Sequence, residues 1–336
     1  MTEQLVAITG ATGFLGRHVL DAVHQSGYRT VAVVRDAVSA QNHLPDNIEI
    51  RQADLLDAGA MERAFRGVTS AIHLAGMVSV SRRDDQAVTE VNVTGARNFL
   101  TATKRCGASR ILFTSTTSAV AALSCDRPEQ ACDETATFNL GHEPVAYIQA
   151  KRQAHELALD ARRNGLPVTI LSPSLVLGPD DINSNSSELV DAVRKRALPV
   201  CPPGGVNPID VRDIARAYVA ALRHPDPAPH YILASRDNMT LKKFISRIAV
   251  LSGVSPPRFS LPGSVILFMA TIVEAMAPAG SLTVAGARLG NYHWYFDGAL
   301  ARRDLSLDCR PLDDTLRATL DWLMAKENQI EDKISQ

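Results

Sequence analysis

A tyrosine and a lysine four residues apart, Tyr147 and Lys151, are the side chains best suited to acid–base chemistry. Side chains at positions i and i+4 lie on one face of a helix. A phenol with a pKa of about 10 is a poor acid or base at neutral pH unless a nearby cation favours its ionised form, and Lys151 would supply that cation. The pair is a candidate catalytic unit, although this spacing is also common on solvated helix faces.

Three glycines with the spacing G-x-x-G-x-x-G lie in the segment 9–16. Gly10 permits a tight turn, Gly13 lets the backbone approach a pyrophosphate, and Gly16 allows close packing of a helix on a strand. The N-terminus of that helix offers unbonded N–H groups and the positive end of its dipole. The segment therefore predicts a dinucleotide site. Its candidate contact residues are Gly10, Thr12, Gly13, Phe14, Leu15 and Gly16.

Hydroxyl side chains cluster in the run Thr114-Ser115-Thr116-Thr117, at the end of a predicted strand. In an open α/β sheet, ligands bind outside the carboxyl ends of the strands, so a hydroxyl here can reach a substrate carbonyl. Threonine is also frequent in strands for its β-propensity alone. The run therefore indicates a functional site only in combination with the Tyr–Lys pair and the glycine turn.

Short aliphatic runs that alternate with amphipathic stretches supply the elements that position these residues. This alternation is typical of βαβ units and a parallel sheet. The predicted strands are 5–9, 30–34, 48–52, 71–74, 111–114 and 168–171. The predicted helices are 13–26, 61–66, 88–105, 145–164, 240–252 and 312–324. The predicted class is α/β, with a doubly wound parallel sheet.

Proline and glycine break up the chain after Pro173 and predict a smaller, irregular C-terminal region that caps the sheet and binds substrate. The predicted dinucleotide-binding domain is 1–177, with 208–235 returning to it. The predicted substrate-binding cap is 178–207 and 236–325, followed by a polar tail at 326–336.

Charge and cysteine content exclude several classes of protein. Lys and Arg number 35 against 36 Asp and Glu, a net charge of -1, and no basic block is present to bind nucleic acid. Five cysteines are scattered without a C-x-x-C pair or a nearby histidine cluster, so we expect neither a disulfide scaffold nor a metal site. No signal peptide is predicted, and we expect a cytoplasmic protein.

The most apolar segment, 263–289, is interrupted by Glu274, Pro278 and Gly280. Its uninterrupted run is shorter than the roughly 20 residues of a membrane span. We expect a buried or pocket-lining helix and no membrane association, with an interfacial membrane contact as the alternative. The residues expected to supply apolar pocket surface are Val265, Leu267, Phe268, Met269 and Trp294.

Together, the glycine turn, the Tyr–Lys pair and the hydroxyl run resemble the short-chain dehydrogenase/reductase superfamily, in particular its extended branch, the NAD-dependent epimerase/dehydratase superfamily. The resemblance covers nearly the whole chain and implies a Rossmann-type fold. Further matching pieces are Asp54-Leu55, His73-Leu74-Ala75-Gly76, Asn92-Val93-Thr94-Gly95-Ala96 and the segments 173–179 and 210–215.

The resemblance implies a role for each candidate. Tyr147 is the proton donor or acceptor, and Lys151 lowers its pKa and holds the nicotinamide ribose. Thr116 stands where the family usually has its catalytic serine, with Ser115 and Thr117 as alternatives. The implied cofactor contacts are Asp54 and Leu55 at the adenine, Ala75 and Gly76 along the cofactor, and Pro173 and Val176 at the nicotinamide carboxamide.

The end of the second predicted strand bears on the choice of cofactor. An acidic residue there accepts hydrogen bonds from the ribose 2′-hydroxyl of NAD, whereas an arginine suits the 2′-phosphate of NADP. Val34 stands where the acidic residue is expected, and Arg35 can pair with a phosphate. NADP(H) is therefore favoured. Asp36 keeps NAD(H) as the alternative, and Arg17 is a second candidate for the phosphate.

The segment 34–36, the hydroxyl run and the apolar C-terminal half are most similar to the group of dihydroflavonol reductases, cinnamoyl-CoA reductases and 3β-hydroxysteroid dehydrogenases. This implies an NADP(H)-dependent oxidoreductase that reduces a ketone or aldehyde, or oxidises the alcohol, of a lipophilic or aromatic small molecule. Dehydratases usually carry an Asp-Glu pair after the catalytic hydroxyl, and residues 117–120 lack it.

Two alternative functions stay open. A nucleotide-sugar epimerase with tightly bound NAD needs basic residues for a diphosphate, and Arg194, Lys195 and Arg196 are candidates. A non-catalytic NAD(P)-binding sensor or scaffold would keep the fold without the chemistry. The resemblance also implies a homodimer through the helices that begin near Val88 and Val145.

Overall fold

A computed structural model describes residues 4–123, 131–183, 186–198, 200–257, 259–276 and 283–334. Its strands are β1 (Leu5–Thr9), β2 (Arg29–Val34), β3 (Glu49–Gln52), β4 (Ser70–His73), β5 (Arg110–Thr114), β6 (Val168–Pro173), β7 (Leu175–Leu177), β8 (Val200–Cys201), β9 (Gly205–Val206), β10 (Pro208–Asp210), β11 (His230–Leu233), β12 (Met239–Thr240) and β13 (Phe259–Ser260). Its helices are α1 (Phe14–Gln25), α2 (Ala37–Gln41), α3 (Ala58–Ala64), α4 (Asp85–Thr89), α5 (Gly95–Cys106), α6 (Ala146–Arg163), α7 (Glu188–Arg194), α8 (Val211–Arg223), α9 (Leu241–Leu251), α10 (Gly263–Met276), α11 (Val284–Leu289), α12 (Ala299–Leu305) and α13 (Leu312–Ile334). A π-helical turn, Glu90–Thr94, joins α4 to α5.

Seven strands form one parallel sheet in the order β11-β6-β5-β4-β1-β2-β3. The order reverses at β1, which pairs with β2 on one side and with β4 on the other. At such a switch point, a crevice opens outside the carboxyl ends of the strands. The predicted α/β class and the Rossmann-type doubly wound sheet are confirmed.

Six strands of this sheet lie within two residues of their predicted bounds. The seventh, β11, was not predicted as a strand and extends the sheet beyond β6, where Tyr231 is paired with Leu171. It follows prolines at 225, 227 and 229 and has four residues, so its sequence signal is weak.

Helices cover both faces of the sheet, and each strand divides its side chains between two cores. In β1, Val6 and Ile8 pack with α1 and α8, whereas Leu5 and Ala7 pack with α3, α5 and α6. This division follows from the two-residue period of a strand. Because both of their faces are buried, strands β1, β2 and β5 are mostly apolar, whereas the edge strand β3 alternates Ile50 with polar residues and is only partly buried.

The C-terminal region contains a third core, in which α7, α9 and α13 pack around Val190 and Phe244. One face of α13 is apolar and is buried there. Its leucines are Leu312, Leu316, Leu320 and Leu323. The helix continues past its predicted end at Met324 to Ile334, so the segment predicted as a polar tail is helical as far as that residue.

Helix α10 buries one of its sides. Ile266 and Ala270 pack on Val200 and on Ala287 of α11, whereas Phe268 is 67% exposed. In the part of the chain that the structure describes, no helix is both long enough and apolar enough to cross a membrane.

A histidine is buried at the end of β4. The ring of His73 stacks on Phe99 with a centroid separation of 4.5 Å, and its Nδ1 lies 2.9 Å from Oγ1 of Thr9. Burial lowers the pKa of His73 to about 3, and the charge of Lys151 acts in the same direction. The imidazole is therefore neutral in the folded protein at neutral pH.

His73 should make stability depend on pH. An unfolded histidine has a pKa of about 6.5, so below that pH the unfolded chain binds a proton that the folded protein excludes down to about pH 3. The contribution of neutral His73 is complete above about pH 6.5 and is lost as the pH falls. Between about pH 7.5 and about pH 5, we expect the unfolding free energy of His73→Phe to fall by about 2 kcal/mol less than that of the wild type. Urea denaturation at the two pH values measures this difference.

The control is His43→Phe, which replaces an exposed histidine on the same protein. The unfolding free energy of this variant should fall with pH by as much as that of the wild type. An equal decline in His73→Phe would contradict the buried, neutral state of His73.

Candidate active site

The turn after β1 is built from glycines in close contact. Gly10 has a φ of +73°, and a Cβ on it would lie 2.5 Å from the backbone nitrogen of Ala75. A Cβ on Gly16 would overlap the carbonyl oxygen of Gly10. Gly13 precedes α1 and forms no side-chain cap, so the first N–H groups of the helix are available to an anion.

A cleft of about 280 Å³ extends from this turn to the start of α6. Gly76 forms part of its wall, where a Cβ would lie 2.7 Å from Oδ1 of Asn92. The glycines leave the backbone open to close approach, and the residues present fit a dinucleotide with its pyrophosphate at the start of α1. The predicted site residues that line the cleft are Gly10, Gly13, Phe14, Leu15, Gly16, Gly76, Thr116, Tyr147, Lys151, Pro173 and Val176.

The other predicted cofactor residues lie outside this cleft. They are Thr12, Arg35, Asp54, Leu55 and Ala75. Asp54 is exposed, and its Oδ1 accepts a hydrogen bond from the backbone N–H of Leu56 at 2.9 Å. Leu55 packs against Gly95, 3.3 Å from the position of a Cβ there. Ala75 contributes backbone to the contact with Gly10.

Tyr147 and Lys151 lie in the first two turns of α6 and line the cleft. Nζ of Lys151 donates a hydrogen bond to the carbonyl oxygen of Thr114 at 3.3 Å. Burial lowers the pKa of Lys151 to about 8. Burial also raises the pKa of Tyr147 to about 12, with a hydrogen bond to Thr116 acting in the opposite direction. The sequence predicts a Tyr147 pKa lowered by Lys151; in the structure, the pKa is raised instead, because the loss of solvent around the phenol is the largest effect.

A second cavity of about 400 Å³ adjoins the cleft. The two share Thr116, Tyr147, Ser174 and Leu175. Among the described residues that line the second cavity, none carries a charge, and most are apolar. A large uncharged group fits this space, next to the hydroxyls of Thr116 and Tyr147.

Trp294 lines the second cavity, as the sequence predicts. The prediction was wrong for the α10 residues. Those residues are Val265, Leu267, Phe268 and Met269, which lie outside the cavity. Helix α10 covers α11 instead, and α11 supplies Gly286 and Leu289 to the wall. A helix that is apolar on most sides carries no sequence signal for the side that faces a pocket.

The side chains of the hydroxyl run 114–117 lie in different environments. Oγ of Ser115 lies 2.9 Å from Nδ1 of buried His155. Thr117 lines the second cavity. Thr116 lines both the cleft and the second cavity, and it hydrogen-bonds Tyr147. Of the three candidates, Thr116 therefore stands at the junction with Tyr147.

Asn92 also lines the cleft, although no role is predicted for it from the sequence. It is buried in the π-helical turn, and its Nδ2 donates hydrogen bonds to the carbonyl oxygens of Met77 and Val88, both at 2.8 Å. Its Oδ1 is directed at Gly76. The signal that could have identified Asn92 is the segment 92–96, which matches the family that the sequence resembles. Asp181 lines the cleft as well, and no sequence pattern marks it.

The chain is similar to known proteins over most of its length. A model of the NAD dependent epimerase/dehydratase family matches residues 6–234. Cinnamoyl-CoA reductase 1 of Oryza sativa subsp. japonica is 30% identical over 252 residues, or 68% of this chain and 71% of the relative. A ceramide reductase of Caulobacter vibrioides is 28% identical over 337 residues, or 96% of this chain and 95% of the relative. The crystal structure of PA4631, a nucleoside-diphosphate-sugar epimerase from Pseudomonas aeruginosa, has a TM-score of 0.77 at 26% identity, covering 97% of this chain and 99% of that one.

Substitution of Gly16 tests the glycine turn. In Gly16→Ala, the new Cβ meets the backbone of Gly10, so the turn must move away from α1. We expect the Kd for NADPH and NADH to rise at least about tenfold, measured by fluorescence titration. Gly59→Ala, at an exposed position of α3, is the control and should bind both as the wild type does. Wild-type affinity in Gly16→Ala would show that this turn does not hold the dinucleotide.

Proposed function

The chain belongs to the NAD dependent epimerase/dehydratase family of extended short-chain dehydrogenases/reductases, and we propose that it is an NADP(H)-dependent reductase of ketones or aldehydes on lipophilic or aromatic small molecules. One observation carries this proposal: the glycine-walled cleft and the uncharged cavity meet at Thr116 and Tyr147. A carbonyl group at that junction has both hydroxyls beside it and apolar surface around the rest of its molecule.

Each catalytic candidate has one task at this junction. When bound, the nicotinamide dinucleotide supplies the hydride for reduction or accepts it in oxidation. Tyr147 donates a proton to the carbonyl oxygen as that oxygen gains negative charge. Its pKa of about 12 keeps the phenol protonated at neutral pH, which suits a proton donor. Thr116 orients and polarises the same oxygen, and Lys151, with a pKa of about 8, holds the ribose as a largely protonated ammonium.

The second cavity supports an apolar substrate. A polar or charged substrate would lose its hydration on entering and would find few partners there, which costs free energy. Leu289, Trp294 and Phe296 instead offer apolar and aromatic surface. Two relatives named as reductases, one of cinnamoyl-CoA and one of ceramide, support the reductive direction.

A nucleotide-sugar epimerase is the weaker candidate. The likeness to PA4631 favours it, but a sugar nucleotide carries a diphosphate that needs cations. Arg194 and Lys195 are both ion-paired with Asp191 and Glu327, so their charges are already compensated. A non-catalytic sensor would not need Tyr147, Lys151 and a hydroxyl to converge on one cleft.

The end of β2 supports NADP(H) over NAD(H). Asp36 uses its carboxylate to cap α2, where Oδ1 accepts a hydrogen bond from the N–H of Ser39 at 3.1 Å. Arg35 is exposed and forms no hydrogen bond or ion pair with any residue that the structure describes. The guanidinium is therefore available to a 2′-phosphate, and the neighbouring carboxylate is already engaged.

Tyr147→Phe tests the catalytic assignment. The variant should lower the turnover of aryl and long-chain aldehydes or ketones by about 10² to 10⁴, because only the proton transfer is lost. Its Kd for NADPH should stay within about twofold of the wild type. Tyr295→Phe removes a phenol outside both cavities and is the matched control. Near-normal turnover in Tyr147→Phe would refute the role of Tyr147 as proton donor. Interconversion of UDP-sugars by the wild type without net NADPH oxidation would favour the epimerase function.

Arg35→Ala tests the cofactor preference. Loss of a charge-assisted pair with the 2′-phosphate should raise the Kd for NADPH by about 10- to 100-fold and leave the Kd for NADH unchanged. Calorimetric titration measures both. The control is Arg29→Ala at the opposite end of β2, where the arginine pairs with Glu49. Tighter binding of NADH than NADPH by the wild type would contradict the preference.

A further inference from the structure

A buried aspartate, Asp181, lies in the loop between β7 and α7 and lines the dinucleotide cleft. Its exposure is 1%. Oδ2 accepts three hydrogen bonds, from the backbone N–H groups of Ser186 and Ser187 at 2.9 and 2.8 Å and from the hydroxyl of Ser187 at 2.9 Å. These donors hold the carboxylate in one orientation and stabilise its negative charge.

The other oxygen of this carboxylate, Oδ1, is buried and has no hydrogen-bond partner among the described residues. A buried acceptor without a donor is rare in folded proteins, because its lost hydration is not replaced. Since Asp181 lines the cleft, a ligand in the cleft is the candidate source of the missing donor.

The loop that carries Asp181 is attached to α1, the helix that follows the glycine turn. The carbonyl oxygen of Pro179 lies 3.1 Å from Nε2 of His18 on α1. Gly178 has a φ of +146°, and a Cβ on it would lie 2.5 Å from Cγ1 of Val211. The path of the loop is therefore constrained by both α1 and α8, and Asp181 is held at the cleft.

The chemistry of the cofactor limits the donor. The phosphates of a dinucleotide have no proton to donate at neutral pH, and they repel a carboxylate. The donors in a dinucleotide are its ribose hydroxyls, the adenine amine and the carboxamide N–H₂. The cleft extends from Gly13 to Lys151, and the residues expected at the adenine lie outside it. The donors that belong in this cleft are those of the nicotinamide half.

We propose that Asp181 is a cofactor-binding residue whose Oδ1 accepts a hydrogen bond from a ribose hydroxyl or the carboxamide of the nicotinamide half. This inference rests on the proposed function, because it takes the cleft as the dinucleotide site. Asp181 thereby links occupancy of the nicotinamide end to the loop that leads into α7, whose Leu189 lines the substrate cavity.

The test separates the two halves of the cofactor. In Asp181→Asn, the amide oxygen must face the three donors of Ser186 and Ser187, so the N–H₂ takes the place of Oδ1 and opposes a donor on the ligand. We expect the Kd for NADPH and for NADH to rise at least about tenfold and the Kd for ADP, which lacks the nicotinamide half, to stay within about twofold. Calorimetric titration supplies the three constants, and thermal unfolding of the ligand-free variant shows whether it is folded.

Asp180→Asn is the matched control, since it removes the same charge from the neighbouring position, where the side chain is half-exposed. It should change none of the three constants. Wild-type NADPH affinity in Asp181→Asn would overturn the assignment of Asp181 and leave the proposed function standing. A loss of ADP affinity equal to the loss of NADPH affinity would also overturn the assignment and would show that Asp181 maintains the structure of the loop. If the wild type binds ADP but gains no affinity from the nicotinamide half, the proposed function and this inference both fail.

Discussion

The backbone contact between the turn after β1 and the first turn of α1 is the constraint on which the rest of the site depends. The backbone of Gly16 packs directly against Gly10, and the backbone of Gly10 packs against Ala75, which follows β4. Because no side chain separates them, the ends of β1 and β4 and the start of α1 meet at backbone distance. The crevice at the switch point of the sheet consequently borders the N-terminus of α1, and the parallel order brings the ends of β5 and β6 to the same edge.

Burial controls the charge states around this crevice. It raises the pKa of Tyr147 to about 12 and lowers that of Lys151 to about 8. It also lowers the pKa of His155, one helical turn after Lys151, to about 3. A neutral His155 can hydrogen-bond Ser115 without adding a second cation beside the lysine. The same desolvation thus leaves one ammonium and one protonated phenol in the cleft at neutral pH.

The second cavity is assembled differently, from short elements that are far apart in the chain. Leu175, Leu241 and Leu289 reach the second cavity from β7, α9 and α11. The core of α7, α9 and α13 supports this wall from behind. Arg194, at the end of α7, forms ion pairs with Asp191 and with Glu327 of α13, so a charge that could have faced a phosphate links α7 to α13.

The sequence by itself determined the parts that depend on neighbours in the chain. The glycine spacing, the i, i+4 pair of Tyr147 and Lys151 and the apolar runs of six strands are local patterns, and each has the structure that its period or turn requires. Only the tertiary structure separates Ser115 from Thr116: both line the cleft, but Ser115 pairs with buried His155, whereas Thr116 also lines the second cavity and hydrogen-bonds Tyr147. It also decided that α10 lies outside the cavity, that burial raises the pKa of Tyr147, and that Asp181 borders the cleft. Each of these depends on packing between segments distant in sequence, which no local pattern records.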